Sequence, residues 1–239
     1  MYGTHRKQTM KTKFFYTNRM WLWPLIALLV ITPFTAALDF SLSQWFYDRS
    51  HFEANAFFKF FYNYGFYPAN LTAVTALVIL IASYFKKSLV KWRSAALVLV
   101  LTLAIGSGFI THVVLKDTWG RPRPKQVVEF GGKQEFRPYY KPNFFHQPEP
   151  SKSFPSGHSS TGFYFFALAL VGRREGNRTL YWTGIVLSLG LGITLSLTRI
   201  AQGGHFFSDT LLSAYVMLLT ACLCTHFVYG WNQRRAEAS

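Results

Sequence analysis

The sequence predicts an all-α integral membrane protein, a six-helix bundle, and three observations carry that prediction. Half of the 239 residues are hydrophobic, and they gather into runs long enough to cross a bilayer. Short segments rich in Lys and Arg separate several of the runs, as topology determinants do. The basic excess, 25 Lys and Arg against 10 Asp and Glu for a formal net charge of +15, falls largely in those segments and in one long loop. A balance this basic also suits nucleic acid. Cations flanking apolar runs serve topology instead, so no nucleic-acid partner is expected.

The elements follow in order. The amino terminus carries Arg6, Lys7, Lys11, Lys13 and Arg19 and no acid, and the first run is Trp21–Leu38. A basic start before an apolar stretch also describes a signal peptide. This run is long for one, and Trp21 and Trp23 suit an interface anchor, so an uncleaved helix is expected, with Pro24 near its start and a kink at Pro33. Residues 39–65 are aromatic and mixed, and after Glu53 the apolar positions recur at helical spacing. An interfacial helix lying on the membrane and an aromatic lid packed on the bundle fit that segment equally well. Further helices are predicted near 67–85, 95–115, 156–171, 179–197 and 206–229, all within a single domain spanning 1–239. Cys222 and Cys224, two apart on the last helix, point in different directions and read as packing residues. No metal-ligand spacing appears.

Basic clusters lie at the amino terminus, at Lys86, Lys87, Lys91 and Arg93, at Arg173, Arg174 and Arg178, and at Arg234 and Arg235. In a six-helix topology all four fall on one side, which the positive-inside rule makes cytoplasmic. The loop 116–155 and the turn 198–207 then face outward. That loop holds eight cations (Lys116, Arg121, Arg123, Lys125, Lys133, Arg137, Lys141, Lys152), against the charge rule, so an anionic ligand is its expected partner.

Three stretches carry chemistry. Lys116 to Pro124 offers three cations in eight residues, with prolines to stiffen the chain. Arg123 can grip a phosphate through two parallel hydrogen bonds, with Lys116 as a point charge beside it. Ser153 to Ser160 opens an apolar helix. There Ser156 can cap the helix or donate to an anion, Gly157 permits close approach, and His158 is placed to donate a proton. Thr198 to Asp209 puts Arg199, His205 and Asp209 between two apolar runs. His205 and Asp209 are four apart and share a helix face, so the carboxylate can hold one ring nitrogen and leave the other to attack. Gly203 and Gly204 let the backbone approach a ligand closely. Charged groups at such depth are costly unless they line a site. His112, one turn before Lys116, reads as polar packing, and His146 as a solvated loop residue.

Taken together, Lys116…Arg123-Pro124, Pro155-Ser156-Gly157-His158 and Arg199…His205…Asp209 resemble the signature of the type 2 phosphatidic acid phosphatases, across about 95 residues. Thr198 stands where that family usually has Ser, which keeps a hydroxyl. The resemblance implies an outward-facing active site that needs no metal or other cofactor. It implies that His205 attacks phosphorus to form a phosphohistidine, that Asp209 orients His205, and that His158 protonates the leaving alkoxide and then activates water. Lys116, Arg123, Ser156, Arg199 and the backbone near Gly157 would hold the phosphate. Arg121, Lys125, Arg137 and Lys141 are candidates for headgroup contact.

Catalytic residues at the ends of membrane helices imply a membrane lipid phosphate as substrate, approached sideways from the leaflet. The motifs look most like those of bacterial lipid A phosphatases, which places the chain in an inner membrane with a periplasmic site and both termini cytoplasmic. The 4′-phosphate of lipid A is favoured over the 1-phosphate. Phosphatidylglycerol phosphate, phosphatidic acid and undecaprenyl pyrophosphate are the alternatives, and a lipid phosphotransferase would share the same motifs.

Overall fold

The computed structural model describes residues 22–48, 51–52, 55–144 and 150–238. Trp21, Glu53, His146 and the basic amino terminus lie outside these. Helices α1 (Leu22–Ile31) and α2 (Thr35–Phe46) are joined by a 3-10 turn, Thr32–Phe34, centred on Pro33. Proline has no N–H to continue the ladder, which accounts for the break. The two make one apolar span of 25 residues, Leu22–Phe46, longer than the expected 21–38. A short hairpin follows, β1 (Tyr47–Asp48) antiparallel to β2 (His51–Phe52).

Helix α3 (Ala56–Tyr64) starts at Asn55, whose side chain accepts from the Phe58 N–H, and α4 covers Tyr67–Ala82. The linking residues Gly65 and Phe66 keep right-handed helical dihedrals, so 56–82 forms a single apolar span. A separate interfacial helix is therefore not what the aromatic segment builds. Its residues 56–64 are the first part of the second span, and they pack on the helix Arg178–Ala201.

The third span runs Lys87–Thr118. It begins as a 3-10 turn (Lys87–Trp92) and α5 (Arg93–Leu101), widens into a π-helix over Thr102–Leu115, and closes with one α turn, Lys116–Thr118. The wide turn replaces the plain α-helix expected over 95–115. Side chains fill in around it: Thr111 Oγ1 donates to the Gly106 carbonyl (2.8 Å) and His112 Nδ1 lies 2.6 Å from the Ser107 carbonyl, each bond reaching five residues back. Such wide turns are found mostly near functional sites.

Helices α6 (Gly157–Phe163), α7 (Phe166–Arg174), α8 (Arg178–Ala201) and α9 (Phe207–Ala238) complete the bundle. Among the described residues, five helical stretches are long and apolar enough to cross a membrane. The expected sixth, 156–171, is the exception: it is helical but interrupted at Tyr164 and Phe165, and Gly157, Ser159, Ser160 and Gly162 in it are buried. The reason is its surroundings. It packs on α8, α9 and the π-helix and so meets protein more than lipid, where small and polar side chains let backbones approach. Leu71, Val74 and Val78 of α4, and Val186 and Ile193 of α8, present the exposed apolar surface that a bilayer covers.

The main core joins Ala69, Val98, Phe163, Tyr164, Leu170 and Met217. A second, smaller core lies in the segment between the third span and α6. Val127, Phe130 and Phe206 pack there with Phe40, Tyr47, Phe52 and Phe136, which makes the described part of the polar loop a packed cap.

Backbone proximity between α7 and α8 sets one expectation. A Cβ at Gly184 would fall 2.3 Å from the Ala169 nitrogen, whereas one at Gly190 would meet nothing within 4 Å. Gly184→Ala should destabilise the detergent-solubilised protein by about 1–3 kcal/mol, the usual cost of overpacking. Gly190→Ala on the same helix should be near neutral, as read by thermal unfolding of the two variants side by side.

Candidate active site

His205 lies in the turn between α8 and α9 and is 1% exposed. Its Nδ1 is hydrogen-bonded to the Ser153 carbonyl. A carbonyl only accepts, so Nδ1 carries the proton and Nε2 keeps the lone pair. Burial pushes the pKa of His205 down to about 3; Asp209 opposes the fall and the nearby Arg199 cation adds to it. The ring is thus neutral, with one defined nucleophilic nitrogen, across the ordinary pH range.

The orientation of that ring corrects the sequence expectation. Asp209 Oδ2 is 3.8 Å from His205 Nδ1, an ion-pair distance but too long for a hydrogen bond. Ser153 stands between them: its carbonyl takes the His205 proton, and its hydroxyl donates to Asp209 Oδ2 at 2.6 Å. Asp209 Oδ2 also accepts from the Phe206 N–H at 2.8 Å, the arrangement that suits an acid at the start of α9.

His158, the second residue of α6, is half-buried. Its Nε2 lies 3.2 Å from the Tyr62 carbonyl, and its ring stacks on Tyr62 with centroids 4.9 Å apart, with Phe66 at its edge. Arg199 lies over the same aromatic, its Cζ 4.8 Å from the Tyr62 ring centre. Arg199 is 7% exposed, and its Nη1 donates to Gln202 Oε1 at 2.6 Å while its Nε has no hydrogen-bond partner among the described residues. Lys116 is within Coulombic range of Arg123, Arg199, His158 and His205. The structure therefore brings residues of all three sequence stretches into one electrostatic cluster.

Other residues in those stretches serve the protein's own structure, and of the two roles expected for Ser156 the cap is the one formed. Ser156 is fully buried and caps α6, accepting from the Ser159 N–H (3.3 Å) and the Ser159 hydroxyl (2.8 Å). At Gly157 a Cβ would fall 2.5 Å from His112 Nε2, so that glycine makes room for an imidazole of the π-helix. Gly203 takes a positive φ of 60°, and a Cβ at Gly204 would come 2.2 Å from Arg199 Nη2. The close approach that these glycines permit is to the protein's own side chains.

Arg121 is the clearest correction. A headgroup contact is expected for it, yet it is 1% exposed and all three guanidinium nitrogens are engaged within the protein. Nε donates to the Arg137 carbonyl (2.8 Å), Nη1 to Ser208 Oγ (2.7 Å) and to Asp209 Oδ1, and Nη2 to Asp39 Oδ2 (2.7 Å). Phe206 and Phe136 face the guanidinium at 4.5 and 5.7 Å. Lys125 and Lys141 are exposed on the cap and Arg137 is half-buried there. Lys152 pairs with Asp117 at the end of the third span, 2.7 Å away and exposed.

Sequence reasoning missed Asp39, Ser208, Tyr62 and the role of Ser153. One signal was available for Asp39, an acid alone inside an apolar run.

Between α4, the π-helix and α6 lies a groove of about 770 Å³. His158, Gly157 and His112 line one end, and Val74, Leu77 and Leu103 line its apolar length.

Residues 95–233 match the PAP2 superfamily. The chain belongs to that superfamily. The matched region of this PAP2 protein contains all three motif stretches, and it begins after α4, so Asp39 and Tyr62 lie outside it. The chain is 32% identical to a lipid A 4'-phosphatase of Francisella tularensis subsp. novicida (strain U112) over 173 residues, 72% of this chain and 73% of the relative. It is 31% identical to a lipid A 4'-phosphatase of Rhizobium leguminosarum over 46% of this chain and 45% of that protein. Against a lipid A 1-phosphatase of Rhizobium johnstonii (strain DSM 114642 / LMG 32736 / 3841) the identity is 32% over 55% of this chain and 48% of the relative. No solved structure matches the chain significantly.

The state of His205 can be read directly. In ¹⁵N-histidine spectra of the protein, with its signal assigned by difference against His205→Gln, Nδ1 should remain protonated and Nε2 unprotonated from pH 5 to 8. A titration near pH 6.5 at that residue would show an ordinary, solvated imidazole.

Proposed function

We propose that this PAP2 protein hydrolyses a phosphate monoester of a membrane lipid, with lipid A as substrate and its 4′-phosphate as the group removed. One observation carries the lipid reading: the apolar groove between α4 and the π-helix ends on His158, beside the cations. A lipid held along the groove presents its phosphate to that end. The choice of lipid A rests on the relatives, and the preference for the 4′-phosphate on the longer match to the enzyme of that name.

The choice of nucleophile follows from the tautomer of His205, whose Nε2 keeps the lone pair. Nε2 of His205 attacks phosphorus, and the bond to the lipid oxygen breaks. Burial and the Arg199 cation hold the pKa of His158 down to about 4 in the free protein; beside a bound phosphate dianion the ring takes up a proton, which it gives to the leaving alkoxide. Water then attacks the phosphohistidine with His158 as base, releasing inorganic phosphate and neutral His205. Lys116, Arg123 and Arg199 hold the phosphoryl oxygens, with Arg199 offering a buried donor that no group among the described residues satisfies. Ser156 and Gly157 set the start of α6 against the site. These cations supply the charge stabilisation, and no metal or cofactor enters the reaction. Lys125, Arg137 and Lys141 on the cap face the headgroup. With the basic clusters cytoplasmic, the site opens to the periplasmic side of an inner membrane.

The test is phosphate release in detergent micelles with chelator present. Wild type and His205→Ala are offered lipid A, phosphatidylglycerol phosphate, phosphatidic acid and undecaprenyl pyrophosphate in parallel. Wild type should release phosphate fastest from lipid A, and the variant should lose at least about a thousandfold in rate. Full activity in His205→Ala would remove it as nucleophile. A faster rate on another lipid would reassign the substrate, and transfer of phosphate to lipid without free phosphate would make the protein a transferase.

A further inference from the structure

The motifs end at Asp209, but the charge arrangement does not. Asp209, Arg121 and Asp39 form a row of three buried ions, each 1% exposed or less. Each carboxylate is fully bonded. Asp209 accepts from Ser153 Oγ, the Phe206 N–H and Arg121, and Asp39 accepts from the Ser208 N–H (2.8 Å), Ser208 Oγ (2.8 Å) and Arg121 (2.7 Å). Three donors converge on the two oxygens of Asp39, which suits the ionised form. Two carboxylates and one guanidinium leave the row with one net negative charge.

For folding alone that excess is a poor arrangement. A lone Arg121–Asp209 pair would be neutral, and burying a further carboxylate costs desolvation that its partners only partly return. The excess charge has a use if a cation forms beside it. Nδ1 of His205 is protonated and lies 3.8 Å from Asp209 Oδ2, so a phosphoryl group arriving on Nε2 would leave a positive ring there. Against a neutral Arg121–Asp209 pair that cation would find little stabilisation. Against the three-ion row it finds a net negative charge in a water-free setting, where Coulombic terms are strong.

We infer that Asp39 is a positioning residue of the reaction: it holds Arg121 and offsets its charge, so that Asp209 presents a net negative charge behind His205 when the ring becomes cationic. This rests on the reading of His205 as nucleophile. Asp39 touches neither substrate nor His205 and acts through Arg121. It sits on α2, outside the part of the chain that matches the superfamily.

Asp39→Asn removes the charge at constant shape, although its amide turns one N–H₂ toward a donor, so unfolding temperature is measured alongside kinetics. Turnover (kcat) should fall about tenfold or more while KM stays within about twofold, because the charge matters when the ring is cationic and not when substrate binds. Inhibition by orthovanadate, a phosphoryl transition-state mimic, should weaken by a similar factor. Asp39→Asn with Arg121→Gln returns the row to one net negative charge and should regain part of the lost turnover. Wild-type turnover in Asp39→Asn would overturn the proposal, as would a folded double variant no faster than the single. Where the double variant does not fold, the single decides: a lower kcat with unchanged vanadate inhibition would assign Asp39 to structure alone. His205→Ala run in parallel separates the two readings. Activity in that variant removes the nucleophile assignment, while an inert His205→Ala beside a fully active Asp39→Asn removes only the role of Asp39.

Discussion

The guanidinium of Arg121 is the interaction on which the rest depends. It lies where three parts of the chain meet: α2 through Asp39, the cap through the Arg137 carbonyl, and the start of α9 through Ser208 and Asp209. A buried cation is tolerable only when its donors are met, and here each nitrogen has an acceptor. Two aromatic rings, Phe206 and Phe136, close its faces. Those rings belong to the small aromatic core of the cap, so the polar segment after the third span folds because it must enclose this charge.

The site inherits its polarity from that clamp. Carboxylate lies behind His205 and cations lie in front of it, with the neutral ring between. Ser153 keeps the two sides in register, one residue bonding His205 by its carbonyl and Asp209 by its hydroxyl. On the far side Tyr62 plays a similar part, touching His158 by stacking and Arg199 by its face. An aromatic side chain from the second span thus joins two motifs that are about forty residues apart in the chain.

Much of this was legible in the sequence and some was not, for physical reasons. Hydrophobic runs announce helices that face lipid, which is why the long spans stand out. The segment 156–171 misleads for the same reason in reverse: enclosed by neighbours, it needs small residues more than apolar ones. Motif spacing points to His205, His158, Asp209 and Arg199, because side-chain type and interval survive in a string of letters. The bond from His205 to Ser153 does not, since it ends on a backbone carbonyl and any residue supplies one. Arg121 was misread because a cation in a basic loop looks solvated until its acidic partners, more than eighty residues away in either direction, are in place. The π-helix has no signal in hydrophobic period, as the apolar run is continuous on either geometry.

Arg199 has a consequence beyond its proposed role. Its Nε is buried and meets no acceptor among the described residues, so the desolvation of that donor is left uncompensated there. Any tetrahedral oxyanion that reaches it supplies the missing partner, and by mass action stabilises the folded state in proportion to the logarithm of its concentration. Inorganic phosphate is such an anion. Under the proposed reaction it is also the product, so the same contact would make the product a thermal stabiliser and a competitive brake, and would couple turnover to the phosphate level of the compartment the site faces.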